Sequence, residues 1–196
     1  PGEYGELALV DASNGRRLQV FDTFEDIVLD AAFNLAGNRL AAVAADRRAR
    51  AYNLTNGERI WEANVHADWV TSVAYSPDNR FVITTSRDQT AKVLQAETGA
   101  LFTTFNGHRR QFGEFVGRRK VFDSSFDPVS GLALTVGEGK AIRVWDPIKA
   151  KHENGTAADM EKRFFKAGHT RYIKHGLDRP VFAMCLAQNT VYTAGG

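Results

Sequence analysis

The chain has 196 residues, 43% of them hydrophobic and 24% charged, with a formal net charge of +2. That composition supports a buried core and gives no strong electrostatic bias toward nucleic acid, and a pI of 8.8 adds little. The lone Cys185 excludes an intramolecular disulfide, and no apolar run is long enough to cross a bilayer.

Taken in chain order, four strand-like runs share one design: VLDAAF from Val28, VTSVAY from Val70, VFDSSF from Val121 and VFAMCL from Val181. A second marker follows each of the first three after 24 residues, at Tyr52, Leu94 and Trp145. A third comes 14 residues later, from Val10 to Phe24, Tyr52 to His66 and Leu94 to His108; four more residues lead from Phe24 to Val28 and from His66 to Val70. The resulting period is 42 residues. A period of about 40 to 45 residues carrying four short strands marks a β-propeller blade, because one small sheet cannot bury both of its faces alone. The reading is therefore all-β. It predicts a partial blade over 1–27, whole blades over 28–69, 70–120 and 121–180, and a partial blade over 181–196. These make four blade equivalents. An open arc leaves strand edges and blade faces bare, so the expectation is a segment of a larger ring, or a ring completed by a partner or a second copy.

At the marker positions the chain resembles the WD-repeat family. Gly107-His108 and Gly168-His169 match the Gly-His before a blade, Trp145-Asp146 the Trp-Asp that closes a third strand, and Ser76-Pro77-Asp78-Asn79 the first hairpin turn. The resemblance is degenerate, with Val10, Tyr52 and Leu94 at the Trp position and Asn53 and Gln95 after it. It implies a hydrogen-bonded set of His66, Ser86 and Asp88, with Leu94 in place of Trp and Asp46 in the same turn one blade earlier. His, Ser and Asp are also the residue types of a hydrolase triad. Their recurrence in the repeat register assigns them to architecture, so no catalytic residue is expected. The set weakens later, where His108 faces Gly139 and Glu138, one position out of register, is a substitute.

Three insertions interrupt the period. His108 to Val121 and His169 to Val181 take 13 and 12 residues instead of four, and the family resemblance puts both connections on the narrower top face. Residues 109–120 carry Arg109, Arg110, Arg118, Arg119 and Lys120 with Phe112 and Phe115, and residues 170–179 carry Arg171, Tyr172, Lys174 and His175. Guanidinium groups beside aromatic rings suit an acidic peptide, a phosphate or a nucleic-acid single strand through charge-assisted hydrogen bonds and stacking. The plainer alternative is a solvated loop pinned by its Phe residues. The third insertion, between Asp146 and Gly168, is expected on the opposite face, with a turn at Asn154-Gly155 and a helical turn from Thr156 to Lys162.

Metal and cofactor signals are poor. His169 and His175 lack a carboxylate or thiolate cluster, no Gly-rich phosphate loop opens a helix, and neither a metal nor a cofactor is expected. Asn53-Leu54-Thr55 and Asn154-Gly155-Thr156 are formal glycosylation sequons. A narrower similarity links PGEYGELALVDASNG and the HADWVTSVAYSPDNR stretch to bacterial proteins in which a propeller accompanies a c-type haem domain. That similarity implies the propeller portion of a larger exported, periplasmic enzyme or electron-transfer protein; without it the location is open, cytoplasmic included. The functional expectation is a non-catalytic scaffold that binds a protein or acidic peptide, with nucleic acid not expected as a partner.

Overall fold

The computed structural model describes residues 5–106, 108, 120–139, 141–155, 169–174, 179–187 and 190–195. Three four-stranded antiparallel sheets follow one another along the chain. The first is β3 (Val28–Phe33), β4 (Arg39–Ala44), β5 (Arg48–Asn53) and β6 (Arg59–Asn64). The second is β7 (Val70–Tyr75), β8 (Phe81–Ser86), β9 (Ala91–Gln95) and β10 (Leu101–Phe105). The third is β11 (Val121–Phe126), β12 (Ala133–Gly137), β13 (Ala141–Trp145) and β14 (His169–Lys174). Two-stranded sheets flank them: β1 (Ala8–Val10) with β2 (Arg17–Val20), and β15 (Val181–Ala187) with β16 (Thr190–Gly195). The fold is all-β, and its sheets have the form of WD-repeat propeller blades.

Burial explains the sequence pattern. Every residue of β8 and β12, and all but the first of β4, is buried, because the second strand of each sheet is covered on both faces by its neighbours. Such strands read as unbroken apolar and Thr runs, not as alternation. The first strands touch one another in turn, β3 on β7, β7 on β11 and β11 on β15, which gathers them at a common centre. Between consecutive sheets lie separate cores. One joins Val43, Ala51 and Trp61 to Val70, Val82 and Leu94; the next joins Ile83, Val93 and Phe105 to Phe126, Ala133 and Trp145. Trp145 is fully buried and stacks on Phe105 with ring centroids 4.6 Å apart and planes 5° from parallel.

The structure corrects the placement of the second basic insertion. Thr170 to Lys174 is not part of a loop: His169–Lys174 forms β14 and pairs with β13, Ile142 opposite Ile173 and Arg143 opposite Tyr172. The connection into β15 is therefore residues 175–180, close in length to residues 65–69 between β6 and β7. All the extra length lies on the other side, in residues 146–168 between β13 and β14, where the other sheets use residues 54–58 and 96–100. Counting forward from Gly168-His169 misled because that pair copies the family motif while the following Thr, Tyr and Ile are strand formers. A helix also begins earlier than expected. α1 (Pro147–Gly155) starts with Pro in its first turn and is capped by Asp146, whose Oδ1 accepts from the Ile148 and Lys149 amides at 2.8 and 3.1 Å. The helical turn expected from Thr156 to Lys162 lies outside the described residues.

Candidate interaction surface

The side chains that fix the connections into the first strands come from the turns between second and third strands. In the middle sheet the imidazole of His66 lies fully buried between Asp88 and Thr84. Its Nδ1 is 2.9 Å from Asp88 Oδ2, and its Nε2 is 2.9 Å from the Thr84 hydroxyl. Asp88 also accepts from the Ala67 amide at 3.1 Å, the Thr90 amide at 3.0 Å and the Thr90 hydroxyl at 2.6 Å. Burial lowers the His66 pKa and outweighs the pull of Asp88, so the ring is neutral at pH 7, with Nδ1–H donating to the carboxylate. Burial alone would raise Asp88; the donors from His66, Thr90 and Ala67 overcome it and hold the carboxyl below its ordinary value.

Ser86 occupies a different place from the one expected. Its hydroxyl donates to the Asp68 carbonyl at 3.1 Å and accepts from the Asp88 amide at 3.0 Å, while Thr84, two residues earlier, meets the imidazole. The same exchange recurs one sheet on, where His108 Nε2 lies 2.8 Å from the Thr135 hydroxyl. Thr84 and Thr135 share one register position, a signal that was present in the sequence. Buried in their blades, His66, Thr84, His108 and Thr135 brace the connections into the first strands.

Asp46 repeats the work of Asp88 without a histidine. It accepts from the Glu25 amide at 3.2 Å and the Arg48 amide at 3.0 Å, while Phe24 fills the His position. The guanidinium of Arg50 lies 4.1 Å over the Phe24 ring, donates to the Thr23 carbonyl at 2.8 Å and pairs with Glu62 at 2.6 Å. Lys92, one period later, donates to the corresponding carbonyl of Val65. Glu138 accepts from the Lys120 amide at 3.0 Å, so it ties down the start of β11 where Gly139 cannot.

On the surface these clamps support, Ile27, Trp69 and Lys120 hold equivalent positions immediately before β3, β7 and β11. Trp69 is 41% exposed, and the guanidinium of Arg87 sits 4.5 Å over its ring. An exposed Trp with a stacked Arg is the pairing enriched at protein contacts. Neither residue belongs to the marker positions of the repeat, although Trp before a first strand breaks the apolar-in pattern that Val70 begins. Of the basic residues singled out, Lys120 adjoins this surface, whereas Arg171, Tyr172 and Lys174 lie on β14, the outermost strand of the third sheet. Arg109, Arg110, Phe112, Phe115, Arg118, Arg119 and His175 lie outside the described residues.

Comparison with known proteins agrees with this geometry. Residues 57–94, which span β6 to β9, match the model of the WD domain, G-beta repeat. The chain is 35% identical over 129 residues to the nuclear distribution protein PAC1 of Coccidioides posadasii, covering 57% of this chain and 26% of that protein. It is 32% identical over 89 residues to the ribosome biogenesis protein WDR12 homolog of Anopheles gambiae, 45% of this chain and 18% of that one. With WD repeat-containing protein 55 of Pongo abelii it shares 29% identity over 171 residues, 79% and 38% of the two chains. It thus matches well under half the length of each. These relatives are eukaryotic and give no support to the bacterial haem-protein similarity. Family model and relatives together support the WD-repeat family for this chain.

Proposed function

We propose that this chain is a non-catalytic WD-repeat platform that binds an acidic segment of a partner protein on the surface around Trp69. The observation that carries the reading is the exposed Trp69 ring with Arg87 stacked on it, set on a loop clamped by Asp88 and His66. Residues 109–120 add a local excess of cations in the connection that leads to Lys120. Arginine next to aromatic surface favours carboxylates, through paired hydrogen bonds and stacking. WD-repeat relatives point toward interaction rather than catalysis, and a ring completed by further repeats or by a second copy belongs to the same reading. A fluorescent glutamate-rich peptide titrated against the protein tests it by anisotropy. Arg118→Glu/Arg119→Glu and Trp69→Ala should each weaken binding at least about tenfold with an unchanged circular dichroism spectrum. Unchanged binding in both variants would remove the proposed surface.

A further inference from the structure

A second surface, on the side of the molecule that carries the hairpin turns between first and second strands, is built differently at neighbouring seams. Between the first and second four-stranded sheets two of the polar ties lie at these turns. Arg39 makes a bidentate pair with Glu97, at 2.8 and 2.9 Å, and the Leu35 amide donates to Asn79 Oδ1 at 3.0 Å. One repeat further on, all four positions have changed. Arg39 and Glu97 become Phe81 and Ile148, while Leu35 and Asn79 become Pro77 and Ser130. Pro77 has no amide hydrogen to donate. The turn that holds Ser130 is also of another kind, with its positive φ at Gly131 and the Gly131 amide bonded to the Asp127 carbonyl at 2.9 Å.

Without the counterparts of those two ties, this end of the seam opens into a cavity of about 420 Å³, lined by Pro77, Phe81, Val129 and Ile148 among others. That volume is in the range of a preformed ligand site. Its rim is apolar and exposed, with Val129 at 82% and Ile148 at 42%, which extends the contact beyond a buried pocket and suits a stretch of polypeptide. Among the described residues, two carboxylates, Asp78 and Asp146, line it against a single cation, Arg80. Arg80 is already engaged, 5.2 Å over the Phe81 ring and 3.8 Å from Asp78. Asp146 is held in place as the cap of α1.

We infer that this cavity between the second and third sheets docks a partner-protein segment presenting a large apolar side chain beside a lysine or arginine. The apolar group fills the space left by the missing ties, and the cation lies between Asp78 and Asp146. The site is separate from the Trp69 surface and selects the opposite charge. Selection of a random dodecapeptide library on the protein, with anisotropy on the synthetic peptides recovered, tests it. Recovered peptides should share an apolar residue next to a cation. Val129→Glu and Ile148→Glu should each weaken them at least tenfold with an unchanged circular dichroism spectrum, since both side chains are exposed. Asp78→Asn should reduce the preference for the basic residue, and Arg118→Glu/Arg119→Glu should leave binding intact. A second pair, Pro77→Leu/Ser130→Asn, returns the polar tie and should also weaken binding. No recovered motif, apolar peptides with no cation preference, binding that survives both glutamates, or self-association abolished by Val129→Glu would each overturn the inference.

Discussion

At the scale of single residues, stability rests on buried polar groups whose partners are counted out one for one. Asp88 receives four donors and His66 is held at both ring nitrogens, so removing either leaves the rest buried and short of a partner. Asp88→Ala should therefore cost about 1–3 kcal/mol, measured by urea unfolding at pH 7. Thr84→Val should cost a similar amount; an unaffected midpoint in both would mean that the clamp is not assembled. The pH dependence has a definite sign. His66 has a folded pKa below its ordinary 6.5, so the unfolded chain takes up its proton first and stability falls as pH drops below about 6.5. Asp88, depressed below 3.8, removes more in the same direction at lower pH. His66→Gln should flatten the upper part of that decline; a wild-type curve that rises between pH 6.5 and 5 would contradict the assignment. Of this cluster the sequence made His66 and Asp88 readable through their spacing. Ser86 stood in for Thr84 because two hydroxyl residues sit two apart on one strand and so share a face, which alternation alone does not separate.

At the scale of elements, the first strands are stitched across blades by a belt that recurs in register. Asp30 Oδ2 accepts from the Val73 amide at 2.8 Å, Ser72 Oγ accepts from the Ser124 amide at 3.3 Å, and Asp123 Oδ2 accepts from the Met184 amide at 2.7 Å. Each side chain serves a donor on the inner edge of the next sheet, where no strand pairs with it. Ser72 also donates to Asp123 at 2.8 Å. Asp123→Ala should then destabilise by about 1–3 kcal/mol and selectively speed amide exchange in β15, with β3 to β6 unchanged. Uniform exchange along the chain would deny the belt that role. The repeat marked the four first strands by their opening Val residues, and β3, β7, β11 and β15 begin at those residues. β14 was missed for a physical reason: an outermost strand is held mainly by pairing on one edge, so its hydrophobic signal is weak, although Ile173 packs against a core.

At the scale of the molecule, each sheet buries its faces only against its neighbours, so the chain is a line of similar units joined by seams of different chemistry. One seam has Arg39 and Glu97, the next a cavity beside Phe81 and Ile148, and the flanking sheets expose Leu18, Val20, Phe182 and Tyr192. Period and hydrophobic runs made this line legible before any coordinates, because blades repeat the same burial. The differences between seams, and the pairing of Trp69 with Arg87, depend on side chains from separate turns and were not legible. A partner surface at the clamped connections around Trp69 can be mapped by hydrogen exchange mass spectrometry with and without a saturating glutamate-rich peptide. Protection is expected over residues 66–70 and 109–121; protection confined to β14 or to the turns at 76–80 and 127–132, with none at Trp69, would contradict the proposed surface.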